Sequence, residues 1–365
     1  MTKVRARGED IRRFILEHVE KHPADVSRKA AEKFGITRQA VNKHLQRLVE
    51  EKALTETGAT RSRAYKLAPL LEWRKLYPID GLAEDTVWRQ DVLPEVSYMP
   101  DNVIGIWQFG FTEMFNNALD HSGGTEIRVY LKKTAATTEI MIADNGVGIF
   151  RKIQAAMGLL DERHAILELA KGKLTTDPKN HTGEGIFFTS RMFDAFDILS
   201  GGVYFSHEFG DEKDWILERE LAQGGTVVWM KLNNHTSRTT KKIFDQFAED
   251  EDYGFTKTVV PVSLARYGNE NLVSRSQAKR LLARVELFKT VLFDFKGVTE
   301  VGQAFADEIF RVFAQRHPEI SLIPINASTA VTRMVNRAVT GAAAEEASSQ
   351  AELPLGIDPP SEGAP

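Results

Sequence analysis

At 365 residues and 42% hydrophobic content, the chain has enough apolar material for two or three separate cores. It has no cysteine, which excludes a disulfide framework and a thiolate metal site; with no signal pattern and no long uncharged apolar run, a cytoplasmic location without membrane contact is expected. The formal net charge of −4 hides an asymmetry: residues 1–70 hold roughly 16 Lys and Arg against 9 Asp and Glu, about +7, leaving about −11 for the rest.

In the basic N-terminal segment, Ile11, Phe14, Ile15 and Val19 recur at helical spacing before a stop at His22-Pro23. Ser27 can cap a second short helix, RKAAEKF, which ends at Gly35. Thr37 can cap a third, RQAVNKHLQRLVEE, with Ala40, Val41, Leu45 and Leu48 inward and Arg38, Gln39, Asn42, Lys43, Gln46 and Arg47 outward. LTET and AYKL then flank a turn over 58–63 as a hairpin. Two short helices around a tight turn, followed by a basic hairpin, resemble a winged helix-turn-helix domain over 1–69. The resemblance implies duplex DNA as a partner. The third helix would enter the major groove, Gln39 and Asn42 would touch base edges, and Arg38, Lys43, Arg47, Arg61 and Arg63 would supply the charge for phosphates or a minor groove. A basic three-helix domain that binds a protein is the alternative.

Residues 70–100 read as a connector, in which Trp73, Leu76 and Tyr77 can close the first domain and 82–93 forms a helix. The stretch FTEMFNNALDHSGG, 111–124, carries a polar stripe: Glu113, Asn117 and His121 are four apart, while Phe111, Phe115, Ala118 and Leu119 are apolar. A carboxylate beside a carboxamide oxygen suits a hydrated Mg²⁺ and a water to be activated, although solvated helix faces often carry the same pair. Downstream, EIMIADNGVGI is an apolar strand running into a turn with Asp144, Gly146 and Gly148 spaced Asp-x-Gly-x-Gly. Such a turn lets backbone approach a flat ligand, and the carboxylate can accept from an exocyclic amine. HTGEGI, with Gly183 and Gly185, opens a helix whose free N–H groups favour phosphate. Gly224, Gly225 and Thr226 precede the strand VVWMKL.

In this order the four blocks resemble the ATP-binding domain shared by gyrase, Hsp90, histidine kinases and mismatch-repair ATPases, the GHKL or Bergerat fold, over 101–235. The resemblance implies ATP and Mg²⁺ as cofactors. Glu113 matches the general base, Asn117 the Mg²⁺ ligand and Asp144 the acid that reads the adenine amino group. Gly146, Gly148, Gly183 and Gly185 match glycines around the nucleotide, Thr226 a residue reaching adenine through water, and His121 a basic phosphate contact. Residues 150–182 occupy the place of the lid, where Arg163, Lys171, Lys173, Lys179 and His181 are available for phosphates, Lys171 and Lys173 foremost.

A polar linker, 236–254, leads to alternating strands and helices over 255–339, a small α/β layer. The run VLFDFKGVTEVGQAFADEIFRVF resembles a STAS-like domain, related to antagonists of anti-sigma factors, and implies a protein partner. In phosphorylated antagonists a serine stands at the strand-to-helix turn; here that turn reads Glu300-Val301-Gly302-Gln303, with Thr299 slightly early. Residues 340–365, rich in Ala, Glu, Ser and Pro, read as a disordered tail.

The expected architecture is thus multidomain α+β: a winged helix, a GHKL α/β sandwich and a STAS-like domain. The expected function is an ATP-binding, DNA-binding regulator in which Mg-ATP binding or hydrolysis controls the other two domains. An anti-sigma-type serine kinase acting on a partner protein is the alternative. His18, His22 and His44 fall inside the winged-helix pattern rather than on a dimerising helix, against histidine autophosphorylation, and no transducer domain follows as in the mechanical ATPases. A homodimer is left open.

Overall fold

The computed structural model describes residues 3–59, 62–174, 183–209, 211–218, 224–248, 254–266 and 270–351. The chain divides into two units, 1–246 and 247–365.

The first unit begins with three helices, α1 (Lys3–His18), α2 (Val26–Phe34) and α3 (Arg38–Glu50). Thr37 starts α3 as its sequence predicts, its Oγ1 accepting from the Ala40 N–H at 3.2 Å and satisfying a donor of the open first turn. Gly35 ends α2 in the left-handed region, φ 61°, so the chain turns between Phe34 and Arg38. Ser27, expected to cap α2, lies inside it. Asp25 holds the N-cap position without a side-chain cap bond, because its carboxylate accepts from Arg28 at 2.6 Å. Strands β1 (Leu54–Thr57) and β2 (Ala64–Leu67) pair antiparallel, Leu54 opposite Leu67. Ile15, Val19, Val41, Leu45 and Leu54 fill this small core, and Ala136, from a turn of the next sheet, belongs to the same cluster.

Residues 71–78 are no connector: they form β3 (Leu71–Pro78), the edge strand of a seven-stranded sheet. An edge strand is covered unevenly, and Leu76 is 57% exposed, which blurs the two-residue alternation that would mark it in sequence. Short helices α4 (Glu84–Val87) and α5 (Leu93–Val96), joined by a π turn, lead to α6 (Asp101–Asn116). Then come β4 (Glu126–Lys133), β5 (Thr137–Asp144), α7 (Ile149–Met157), α8 (Glu162–Lys171) and α9 (Gly185–Met192). Strands β6 (Ala195–Ser200), β7 (Val203–Glu208), β8 (Asp211–Glu218) and β9 (Thr226–Asn233) follow, and α10 (Thr240–Asp245) closes the unit.

The sheet order is β3-β4-β5-β9-β6-β7-β8, antiparallel throughout. Ile127, Val129 and Leu131 on β4, Ile140 and Ile142 on β5, and Val228, Met230 and Leu232 on β9 alternate onto a buried face. Helices α6 and α9 cover that face, with the Phe115 ring edge-on to Tyr77 of β3 at 6.1 Å. At Gly110 of α6 a Cβ would collide with the ring of Phe193, the residue that ends α9, and crowd Thr189 of α9. The other face is half-exposed, with Tyr130 and Trp229 rings 5.9 Å apart.

The second unit has a three-stranded parallel sheet, β10 (Lys257–Pro261), β11 (Thr290–Asp294) and β12 (Ser321–Ile325), with β11 central. Its helices are α11 (Arg275–Leu282), α12 (Gln303–Asp307, prolonged by a π turn), α13 (Ala314–Arg316) and α14 (Thr329–Ala351). Ser274 and Gln277 form a capping box on α11. Helix α14 runs to Ala351, while residues 352–365 of the expected disordered tail lie outside the described residues. Its alanine-rich stretch, 342–344, costs little conformational freedom in a helix. Among the described residues no helix is long and apolar enough to cross a membrane.

Candidate functional site

The polar stripe ends α6. Glu113 lies within the α-helix, and the last turn widens to π over Asn117–His121, a distortion that often marks functional positions. Glu113, Asn117 and His121 nevertheless line one cleft of about 270 Å³ together with Asp144, Gly183, Gly185 and Thr226. Four elements far apart in sequence thus deliver the expected polar groups to one place.

Asp144 stands at the end of β5. Its Oδ1 accepts from the Gly146 N–H at 2.8 Å and the Thr226 N–H at 3.2 Å, so both backbone donors converge on one oxygen. Burial pushes its carboxyl above the usual carboxylate range, against the lowering pull of these N–H groups. Its surroundings are apolar: Ile142 precedes it on β5, Val228 pairs with Ile142 across β9, and Ile149 and Ile153 approach from α7. A planar, apolar ligand edge carrying one donor matches such a wall. Thr226 Oγ1 accepts from the Ile149 N–H at 2.9 Å and so fixes the start of α7 against β9.

Glu113, which also lines the cleft, meets the first turn of α9. A Cβ at Gly185 would collide with its carboxylate, so only glycine lets that group rest on the helix start. Gly146 and Gly148 do not line the cleft; they shape the turn behind it, with the Val147 N–H donating to the Ser122 carbonyl at 2.9 Å.

The described lid cations, Arg163, Lys171 and Lys173, are not among the cleft's lining residues. Lys171 is fully buried and its Nζ donates to Glu168 Oε1 at 2.7 Å, inside α8, which turns most of its surface inward. Lys173 is half-buried outside the cleft lining, its ammonium lowered by burial and supported by Glu184. Arg163 binds back to Asp161, the N-cap of α8, at 2.6 Å. Lys179 and His181 lie outside the described residues.

One cation in the cleft escaped the sequence reading. Lys152 of α7 lines it, and its Nζ donates to the His121 carbonyl at 2.7 Å. The available signal was a charge between Ile149 and Ile153, both on the inward stripe of α7.

In the N-terminal bundle, Arg38, Gln39, Asn42, Lys43 and Arg47 are all exposed on α3, and Arg47 pairs with Glu51 at 2.8 Å. Arg63 is half-buried, 3.6 Å from Glu56 across the hairpin. Arg61 lies outside the described residues. This bundle meets the sheet at the end opposite the cleft: Lys231 of β9 contacts Glu20 at 2.6 Å and Glu139 of β5 at 3.2 Å. The β4–β5 turn beside it is braced by Asn234, which accepts from Thr138 Oγ1 at 2.8 Å and donates to the Thr134 carbonyl at 3.0 Å.

In the second unit, Gly302 caps α12 at the turn where an acceptor serine would stand, and a Cβ there would lie 2.8 Å from Val273 Cα. Asp294, ending β11, accepts from the Lys296 N–H at 2.9 Å and Asn326 Nδ2 at 3.0 Å.

No curated protein is matched by the chain. Residues 277–332 match the family model described as a STAS-like domain of unknown function (DUF4325), so the second unit carries a STAS-like domain.

Proposed function

We propose that the chain is an ATP-binding, DNA-binding regulator, with a GHKL-type domain over the seven-stranded sheet and a winged helix-turn-helix domain before it. The observation that carries this reading is the convergence of Glu113, Asn117, Asp144 and Thr226 on one cleft that also includes the glycine-led start of α9. Asp144 would accept from the adenine amino group, its apolar wall would hold the ring, and the α9 N–H groups would take outer phosphates. The donor set fits Mg²⁺: Asn117 supplies a neutral oxygen and Glu113 an anionic one. When bound, Mg²⁺ would neutralise phosphate charge. Glu113 is the residue able to take a proton from an attacking water.

The DNA half of the proposal is supported by the exposed set on α3, and control by nucleotide is supported by strands β5 and β9. β9 runs from Thr226 in the cleft to Lys231, which contacts Glu20 of the bundle; β5 runs from Asp144 in the cleft back to Glu139, which Lys231 also contacts, and is preceded by Ala136 of the bundle's core cluster. A ligand that shifts these strands has a short mechanical path to α1. Couplings of about 1–3 kcal/mol are typical and correspond to roughly five- to 150-fold in affinity. The test is titration of duplex fragments with the full chain at low salt, with and without Mg-ATP, together with separation of free phosphate from labelled protein. Equal DNA affinity under both conditions refutes nucleotide control, absence of ATP binding refutes the cleft assignment, and label on a partner protein selects the kinase alternative.

A further inference from the structure

Helix α7 turns Ile149, Lys152 and Ile153 toward the cleft, so a cation sits on a stripe that is otherwise apolar. Positions i, i+3 and i+4 share one face, and a solvated lysine would occupy the other. Lys152 Nζ donates at 2.7 Å to the carbonyl of His121, the last residue of the π turn ending α6, where carbonyls lack helical partners. An ammonium has three donors, and this bond uses one.

Two carboxylates, Glu113 and Asp144, face the same cleft, so an anionic ligand entering it meets like charge unless a cation offsets it. Lys152 is placed to do so. It stands on the helix that follows the Asp144 turn, between Ile149 and Ile153 of the apolar wall assigned to the base, whereas the outer phosphates are assigned to a different element, α9. We propose that Lys152 binds the phosphate nearest the sugar of a nucleoside phosphate, which makes this cleft prefer nucleotides over nucleosides. The inference rests on the ATP reading of the cleft and adds to it a residue with one assigned phosphate. The His121 carbonyl orients the ammonium, so the π turn that carries Asn117 and the phosphate contact are set by one side chain.

The experiment measures binding of adenosine, AMP, ADP and ATP, each with Mg²⁺, to the full chain and to its Lys152→Met and Lys152→Arg variants, with melting temperatures recorded alongside. A charge-assisted hydrogen bond is worth about 10- to 100-fold. In Lys152→Met, AMP, ADP and ATP should weaken alike by that factor while adenosine is unchanged, and Lys152→Arg should recover part of the loss. Loss confined to ATP would move the contact to the terminal phosphate and overturn the assignment. Equal loss for adenosine, or no loss at all, would show that Lys152 only braces the π turn. Failure of the wild-type chain to bind any of the four sinks the ATP reading and this inference together, whereas tight wild-type binding with unaltered variants sinks only the inference.

Discussion

Lys231→Met tests the junction between the N-terminal bundle and the sheet. Lys231 Nζ lies 2.6 Å from Glu20 and 3.2 Å from Glu139, and its ammonium is held above the ordinary lysine range. Burial alone would lower it, and the two carboxylates outweigh that effect. Glu139 is only 8% exposed, so methionine would leave a buried carboxylate with Lys132 at 4.0 Å as its remaining cation. Stripping a buried carboxylate of its partner costs about 3–5 kcal/mol, whereas an exposed pair is worth about 0–1. With Lys132 in reach the loss should fall between, about 1–3 kcal/mol, or roughly 2–12 °C in Tm for a unit of this size. Glu20→Gln, at a side chain 38% exposed, should cost no more than about 1 kcal/mol. Adding Glu139→Gln to Lys231→Met should recover stability, since it removes the uncompensated charge. Urea titrations and calorimetry of the four proteins measure these differences. Lys231→Met as harmless as Glu20→Gln, or no recovery on adding Glu139→Gln, would refute the argument. In the proposed mechanism the same Lys231→Met change also shrinks the effect of Mg-ATP on DNA affinity, read by anisotropy.

Asp144→Asn keeps an oxygen for the Gly146 and Thr226 N–H groups but removes a charge that burial disfavours. Because the folded-state pKa is raised, ionisation costs stability as pH rises from the ordinary carboxylate range through the folded value. The variant should therefore melt above wild type at pH 7, lose that advantage in acid, and bind adenine nucleotides poorly; equal Tm at neutral pH would contradict the burial argument. Asn117→Ala should weaken Mg-ATP more than metal-free ATP, measured by calorimetry with and without chelator. Glu113→Ala should retain ATP while slowing phosphate release by roughly 10² to 10⁴, and unchanged release would reduce Glu113 to a structural carboxylate. Changing Arg38 and Lys43 together to Ala should weaken all duplexes alike and flatten the salt slope, whereas Asn42→Ala should erode discrimination between sites, as competition titrations would show.

Local patterns carried most of what the sequence determined. The Thr37 cap, the Gly35 turn, the Glu113–Asn117–His121 stripe and the Asp144 turn depend on spacings of a few residues, which periodicity and turn chemistry fix without the rest of the fold. The STAS-like run is continuous in the chain and legible for the same reason. Tertiary structure decided the rest. It assigned 71–78 to a sheet edge, because pairing with β4 outweighs a weak alternation. It buried Lys171 against Glu168 and brought Lys152 to the His121 carbonyl in the cleft; both are lysines on amphipathic helices, and the partner of each was set by which segments pack around it. It paired Lys231 with Glu20 across 211 residues, a contact no window of sequence contains. Residue type and spacing set what a side chain can do. Which groups surround it, and hence whether its charge is buried, paired or offered to a ligand, is set by chain segments that only folding brings together.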